Sequence, residues 1–284
     1  MDKNLDVIKF SNHSKIMKKK TITSALPYIH GVPHLGNIVG SLLPADIFHR
    51  YQDLRGNDNI FVCGSDVHGT PLELEALEQD MPVEELKEKN HEKVKSVLND
   101  FDMDFSIYSD THSDYNKKQT HDMFVELYTN GYIKEKKQTL PYSDEDERFL
   151  PDRYIEGECP ECGGLARGDQ CDECGTLLEP EELIEPYSTI SGSEDIEFRE
   201  TEHLFLNLPQ FQEELIEWLE SGDAPIPDNK LEEVKNSIND TEMRCITRDI
   251  DWGFDIPVDR VNEKIEDEGL DTAKLDSEVY DEKV

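Results

Sequence analysis

Long apolar runs are missing from this sequence, and basic charge is scarce. None of the 284 residues falls in a stretch approaching the roughly 18 consecutive apolar residues that cross a bilayer as a helix. The N-terminus also lacks the apolar segment of a secretory leader. Both absences argue against a membrane partner and predict a cytoplasmic protein. Lys and Arg number 29 against 65 Asp and Glu, giving a formal net charge of −36. Strong unaided affinity for nucleic acid draws on clustered Lys and Arg, and this composition speaks against it. Hydrophobic residues make up 36%, enough for a core but low. The acid is interleaved with clear apolar periodicity, which argues against bulk disorder. Its distribution fits a halophilic protein, because at 1 M salt charges are screened within about 3 Å. An acidic mesophilic protein is the alternative. Cysteine is sparse too: of six, four stand in C-x-x-C pairs, which suits a metal in a reducing compartment better than disulfides.

What is present reads as alternating strands and helices. Residues 1–19 are polar and expected to be a flexible N-terminus. Lys20 to Leu26 reads as a short buried strand, closed by Pro27 and a loop with Gly31 and Pro33. Leu35, Ile38, Val39, Leu42, Leu43, Ile47, Tyr51 and Leu54 then repeat with helical spacing. Pro44 should kink that helix or break it in two, and Gly56 should close it. Asn59 to Cys63 is a second strand, so the order implies a βαβ crossover and a parallel sheet. Acidic helices near 72–80 and 82–100, a strand near 104–108 and a helix over 112–130 follow, with Gly131 as its stop. The fold class is therefore α/β, with residues 20–130 forming one doubly wound parallel layer. Residues 131–254 differ: short strand-like pieces and a cysteine cluster describe an inserted small domain. Residues 255–284 show weak periodicity and read as an acidic unpatterned tail.

Cys159-Pro-Glu-Cys162-Gly and Cys171-Asp-Glu-Cys174-Gly each form a tight turn that can bring two sulfurs to one ion. Structural zinc takes four such thiolates tetrahedrally, at about 2.3 Å. The glycine after each second cysteine permits the close backbone approach a knuckle needs. Four thiolates leave no open position, so the expected Zn2+ is structural, not catalytic. Cys63 and Cys245 read as ordinary buried cysteines.

Two loops carry candidate chemistry. His34-Leu-Gly36-Asn37 opens the first long helix, whose N-terminus offers N–H groups and a positive dipole end to an anion such as a nucleotide phosphate. Gly36 would admit a nucleotide to the backbone, and His34 and Asn37 could donate to phosphate oxygens; a structural capping histidine is the plainer alternative. Gly64-Ser-Asp66-Val-His68-Gly-Thr-Pro71 follows the second strand at the edge where parallel sheets bind ligands. Asp66 could hold a substrate ammonium, and His68 could orient it or contact a ribose; a turn-forming Asp and a capping His are the alternatives.

Thr23 to Tyr28, His34 to Asn37 and Cys63 to Pro71 together resemble the methionyl branch of the class I aminoacyl-tRNA synthetases. His34 to Asn37 matches the family's HIGH signature with Asn in last place, as in archaeal-type members. The likeness continues through Phe149 to Arg153, the cysteine knuckle, Glu185-Pro186, Arg199 to Phe205, Thr247 to Asp249 and Asp251 to Phe254. It covers residues 20 to about 257. The resemblance implies a split Rossmann fold with a zinc-bearing connective-peptide insertion. It also implies methionine–tRNA ligase chemistry with ATP, Mg2+, methionine and the acceptor end of tRNA(Met) as partners. His34 and Asn37 would be catalytic, with Gly36 and His68 joining them around ATP; Leu26, Tyr28 and Asp66 would hold methionine.

The family pattern stops there. Its later aromatic segment, lysine-bearing KMSKS loop and anticodon-binding domain have no counterpart in these 284 residues. His13 to Lys18 echoes the lysine loop but precedes the first strand. The expectation is an N-terminal portion whose activity alone is doubtful, with an open sheet edge and uncovered apolar surface. A separate chain could carry the C-terminal half. A non-catalytic half of a split synthetase, or a nonfunctional fragment that retains zinc and partial nucleotide binding, is the alternative.

Overall fold

The computed structural model describes residues 19–281 and 283–284. The expected flexible N-terminus, but for Lys19, and the His13 to Lys18 stretch lie outside them. Among the described residues no helix is long and apolar enough to cross a membrane. Packing divides the chain into two compact units, one of residues up to 67 with 87–111, the other of 68–86 with 112–284.

The first unit is built on a three-stranded parallel sheet. Strands β1 (Lys20–Thr23), β2 (Asn59–Ser65) and β3 (Ile107–Asp110) lie in the order β1-β2-β3. Its central strand buries Phe61, Cys63 and Ser65 along one face, whereas Ile60 on the other is 44% exposed. The third strand begins later than its sequence suggests: the Asp104 N–H is already taken by the Asp46 carboxylate at 2.9 Å.

After the loop that follows β1, helix α1 (Leu35–Asn37), a π-helical segment (Ile38–Leu42) and helix α2 (Leu43–Leu54) run on without a break between them. Pro44 sits in the first turn of α2, and the chain accommodates it by widening the preceding turn, with the Leu43 N–H bonded to Ile38 O. The apolar spacing is real but mostly faces outward. Ile38 and Leu42 are buried, whereas Leu35 is 71%, Ile47 58% and Leu54 88% exposed. Polar side chains fill much of the inner face of α2: Asp46, His49 and Gln52 are buried. They are satisfied by Arg50, by Asn59 and by Asn57, respectively. Helix α4 (Val83–Asp100) completes this unit from Lys87 onward.

The second unit takes α3 (Thr70–Glu78) and α5 (Asp114–Thr129), helices that sequence order assigns to the parallel layer. Gly131, at φ +77°, stops α5 as expected. Strands β4 (Ile133–Ser143) and β9 (Ile196–Leu206) pair antiparallel along their whole length, flanked by β5 (Arg148–Phe149) and β10 (Arg244–Cys245). A smaller antiparallel sheet joins β6 (Ile155–Glu158), β7 (Leu165–Arg167) and β8 (Ile184–Ser188) in the order β7-β6-β8. Helices α6 (Gln212–Ser221) and α7 (Leu231–Asn239) pack on each other.

Residues 255–284 are not an unpatterned tail. Helix α8 (Val258–Glu268) buries Val258, Val261 and Ile265 in one core with Val125 and Tyr128 of α5, and the turn of α9 (Ser277–Tyr280) adds Tyr280, 1% exposed. Charged and polar residues of both signs separate these sparse apolar positions and masked the helical spacing. Lys283 is buried against Asp249 and Thr201, and Val284 exchanges backbone hydrogen bonds with Arg248.

Candidate functional site

In the first unit the loops after β1 and β2 are joined by backbone. Beyond the ends of both strands Tyr28 and Asp66 form an isolated parallel bridge, with Asp66 N donating to Pro27 O at 2.9 Å and Ile29 N to Asp66 O at 3.2 Å. Tyr28 and Asp66 are half-buried, and Leu26, on the same stretch, is 45% exposed. The Thr111 hydroxyl stands between Val67 N, from which it accepts at 2.9 Å, and the Asp66 carboxylate, 3.5 Å away.

His34, Gly36 and Asn37 form a reciprocal cap. His34 Nδ1 accepts from Gly36 N at 3.0 Å and from Asn37 N at 3.3 Å, while the His34 N–H donates to Asn37 Oδ1 at 3.1 Å. The capping alternative is therefore what the structure realises, and it has a chemical corollary. An imidazole that accepts through Nδ1 carries its proton on Nε2. Asn37, whose oxygen is engaged, keeps its NH2 as the donor end. So the cap presents donors, as an anion requires, but from side chains: the Gly36 and Asn37 amides are spent on the ring. A Cβ on Gly36 would stand 2.8 Å from His34 Cε1, so this glycine makes room for the neighbouring imidazole.

Sequence reasoning missed the groups under these loops. On α4, Asn90 donates to Ile29 O at 3.0 Å, and His91 Nδ1 lies 2.9 Å from Ser65 Oγ, which in turn contacts the Tyr108 hydroxyl at 3.0 Å. Burial pushes the Tyr108 hydroxyl up to about 12 and His91 below its ordinary value. The available signal was Asn90, which stands where the spacing of Leu86, Val94 and Leu98 calls for an apolar residue.

In the second unit His68 enters an aromatic cluster. Its Nε2 lies 2.8 Å from His112 Nδ1, and its ring meets Phe254 edge-on at 4.8 Å. His112 stacks on Trp252 at 4.2 Å and on Phe254 at 5.0 Å. His68, Trp252 and Phe254 line a cavity of about 550 Å³ with His121, which burial pushes below its ordinary value. The same unit holds a buried network in which His203 Nε2 lies 3.0 Å from Asp249 Oδ2 and its Nδ1 2.9 Å from Thr247 Oγ1. Burial opposes ionisation of Asp249, but His203 and Lys283 hold its carboxyl below the usual range.

The four knuckle cysteines converge, with every sulfur within 4.8 Å of the others. Cys159 Sγ and Cys174 Sγ are 3.8 Å apart, Cys162 Sγ and Cys171 Sγ 3.6 Å. Four sulfurs at about 2.3 Å from one zinc would stand about 3.8 Å apart along the edges of a tetrahedron, so the cluster fits such an ion. Gly163 and Gly175 adopt φ +72° and +76° and return their N–H groups to Cys159 O and Cys171 O, closing both turns. The Thr176 hydroxyl, 3.2 Å from Cys174 Sγ, lowers that thiol to about 6. Cys63 is buried as expected, whereas Cys245 is only half-buried.

Comparison with known proteins adds a family. Residues 20–266 match the family described as tRNA synthetases class I (M). The methionine–tRNA ligase of Streptomyces avermitilis is 45% identical over 245 residues, covering 86% of this chain and 43% of the relative. That of Pyrobaculum islandicum is 43% identical over 242 residues, covering 85% and 42%. The chain thus spans less than half the length of these curated relatives. In fold it is similar to a crystal structure of Mycobacterium tuberculosis methionyl-tRNA synthetase bound by methionyl-adenylate. The TM-score is 0.62 at 20% identity, over 84% of this chain and 43% of that one.

Proposed function

Because this chain belongs to the class I tRNA synthetases (M), we propose that it supplies the methionine- and ATP-binding part of a methionine–tRNA ligase. In that reaction the methionine carboxylate attacks the α-phosphate of ATP, giving methionyl-adenylate and pyrophosphate. The 3′-terminal ribose hydroxyl of tRNA(Met) then takes the methionyl group and releases AMP. The protein's share is positioning and charge stabilisation.

The observation that carries this reading is the donor-presenting cap of His34 and Asn37, in the same unit as the Tyr28–Asp66 bridge beyond the ends of two parallel strands. His34 Nε2–H and the Asn37 amide suit phosphate oxygens of ATP with its Mg2+, and His68 the ribose. Asp66 suits the methionine ammonium, with Leu26 and Tyr28 along the side chain. The knuckle residues Cys159, Cys162, Cys171 and Cys174 would hold Zn2+, which orders the segment around β6–β8 and takes no part in the chemistry. Residues 131–254 then serve as the connective insertion towards the tRNA acceptor end, and the acid excess suits a cytoplasm of concentrated salt.

A non-catalytic reading, in which the chain binds zinc and nucleotide and a second chain completes the site, is favoured by the edge position of β1 and the exposed face of α2. Titration calorimetry with ATP and with a non-hydrolysable methionyl-adenylate analogue tests the proposal. The chain should bind the analogue, His34→Ala and Asn37→Ala should each weaken ATP about tenfold, as loss of a charge-assisted hydrogen bond does, and Asp66→Ala should weaken methionine. No binding by the unaltered chain, or no effect of these changes, would sink it.

A further inference from the structure

Arg148 begins β5 with a side chain only 19% exposed, and its guanidinium reaches carboxylates on two separate segments. Nη2 lies 3.1 Å from Glu73 Oε1 and 3.3 Å from Asp251 Oδ2. The same cation stands 5.0 Å from the centre of the Tyr154 ring, which is fully buried. Tyr154 belongs to the core that contains Cys159 and Cys171. One side chain therefore connects the thiol module, the first turn of α3 and the segment ahead of Trp252.

Those last two segments are the ones that hold His68. Glu73 lies in the first turn of α3, whose N-cap residue Gly69 follows His68 directly. Asp251 immediately precedes Trp252, which stacks on His112, the hydrogen-bond partner of His68. Trp252 also meets the His68 ring edge-on at 5.8 Å.

The arrangement is not a cheap source of stability. Glu73 is buried, and Arg148 Nε is buried without a hydrogen-bond partner among the described residues. Desolvating an ion pair commonly cancels its Coulombic gain, and apolar residues of the same size often serve stability as well. The Asp251 arm is highly exposed and contributes little energy. What a planar guanidinium does impose is geometry, since its fork accepts few relative placements of its partners.

We propose that Arg148 is a positioning residue: through Glu73 and Asp251 it fixes α3 against the Trp252 segment and so holds the His68 ring in place for nucleotide. The nucleotide part of this assignment rests on the role given to His68 above; the clamp itself does not.

Trp252 is 3% exposed and can report on the clamp once the other tryptophan, on the exposed side of α6, is removed as Trp218→Phe. In that background, acrylamide quenching of Trp252 well below the unfolding temperature should rise severalfold in Arg148→Met and in Glu73→Gln. Bound zinc and far-UV circular dichroism should be retained. Arg148→Lys, which keeps the charge but loses the fork, should restore part of the protection. Glu73→Gln keeps the volume of the side chain and carries the test if Arg148→Met does not fold. A merely structural arginine would lower the melting temperature and leave quenching at low temperature unchanged, and that result would overturn the clamp. If the unaltered chain binds ATP and both variants bind it equally well, the link to His68 is wrong. If the unaltered chain binds no ATP, the functional reading fails, while the quenching comparison still decides the clamp.

Discussion

The two compact units differ in how far each satisfies itself. The second pairs β4 with β9 over their full length, closes a core around Tyr128, Val261 and Tyr280, and gathers four thiols. Among its described residues the first places β1 at the edge of a three-stranded sheet and turns Leu35, Val39, Ile47 and Leu54 outward. Yet the first unit carries the His34–Asn37 cap and Asp66. Most of the residues proposed for phosphate and methionine thus sit on the less self-contained body, and the four thiols on the more self-contained one. An unpaired strand edge and an exposed apolar stripe are the marks of a surface that awaits a cover.

Four experiments break or sharpen that contrast. The largest effect is expected at the thiols, because structural zinc contributes about 10–16 kcal/mol of apparent binding energy in small peptides. Cys171→Ser or strong chelation should abolish hydrogen-exchange protection across residues 155–188 and leave the β1-β2-β3 amides protected. Equal loss in both units would show that they are not independent. Next, Ile265→Ala should cost about 2–5 kcal/mol in denaturant unfolding, as truncation of a buried aliphatic does. A cost near zero would return residues 255–284 to the status of an appendage.

A third change works on the open surface of the first unit. Leu54→Lys should shift stability by no more than about 0.5 kcal/mol, as surface substitutions do, while lowering self-association in light scattering. A large destabilisation would mean that this residue is covered in solution. The smallest effect concerns pH. Burial keeps His91 and His121 below their ordinary values, so each folded state favours the neutral ring. The unfolded chain then binds more protons, and the stability they contribute is complete above the ordinary histidine range and declines as pH falls through it. His91→Gln should flatten that decline in urea titrations from pH 8 to 5; an unchanged slope would remove His91 from the account.

Much of this was legible in the sequence because its signals were local. Two C-x-x-C-G turns and the alternation of short apolar strands with helical spacing each depend on a few adjacent residues. The failures are long-range. Helical spacing in Leu35 to Leu54 marks a helix but does not say which face has a partner, and here Asp46, His49 and Gln52 turn inward because Arg50, Asn59 and Asn57 meet them. The α8 stripe was hidden by the charged and polar residues between Val258, Val261 and Ile265. The assignment of α3 to the second unit depends on Glu73, Leu74 and their partners in residues 148–155, far along the chain.

Gly36 carries a consequence for how variants of this chain are interpreted. Any side chain there would press on the His34 imidazole, turn the ring and undo the cap. A saturation scan would therefore score Gly36 as intolerant as a substrate contact, although the clash is wholly within the protein. Intolerance at a signature glycine reports self-fit, and only a ligand-binding measurement on a correctly folded variant can separate that from recognition.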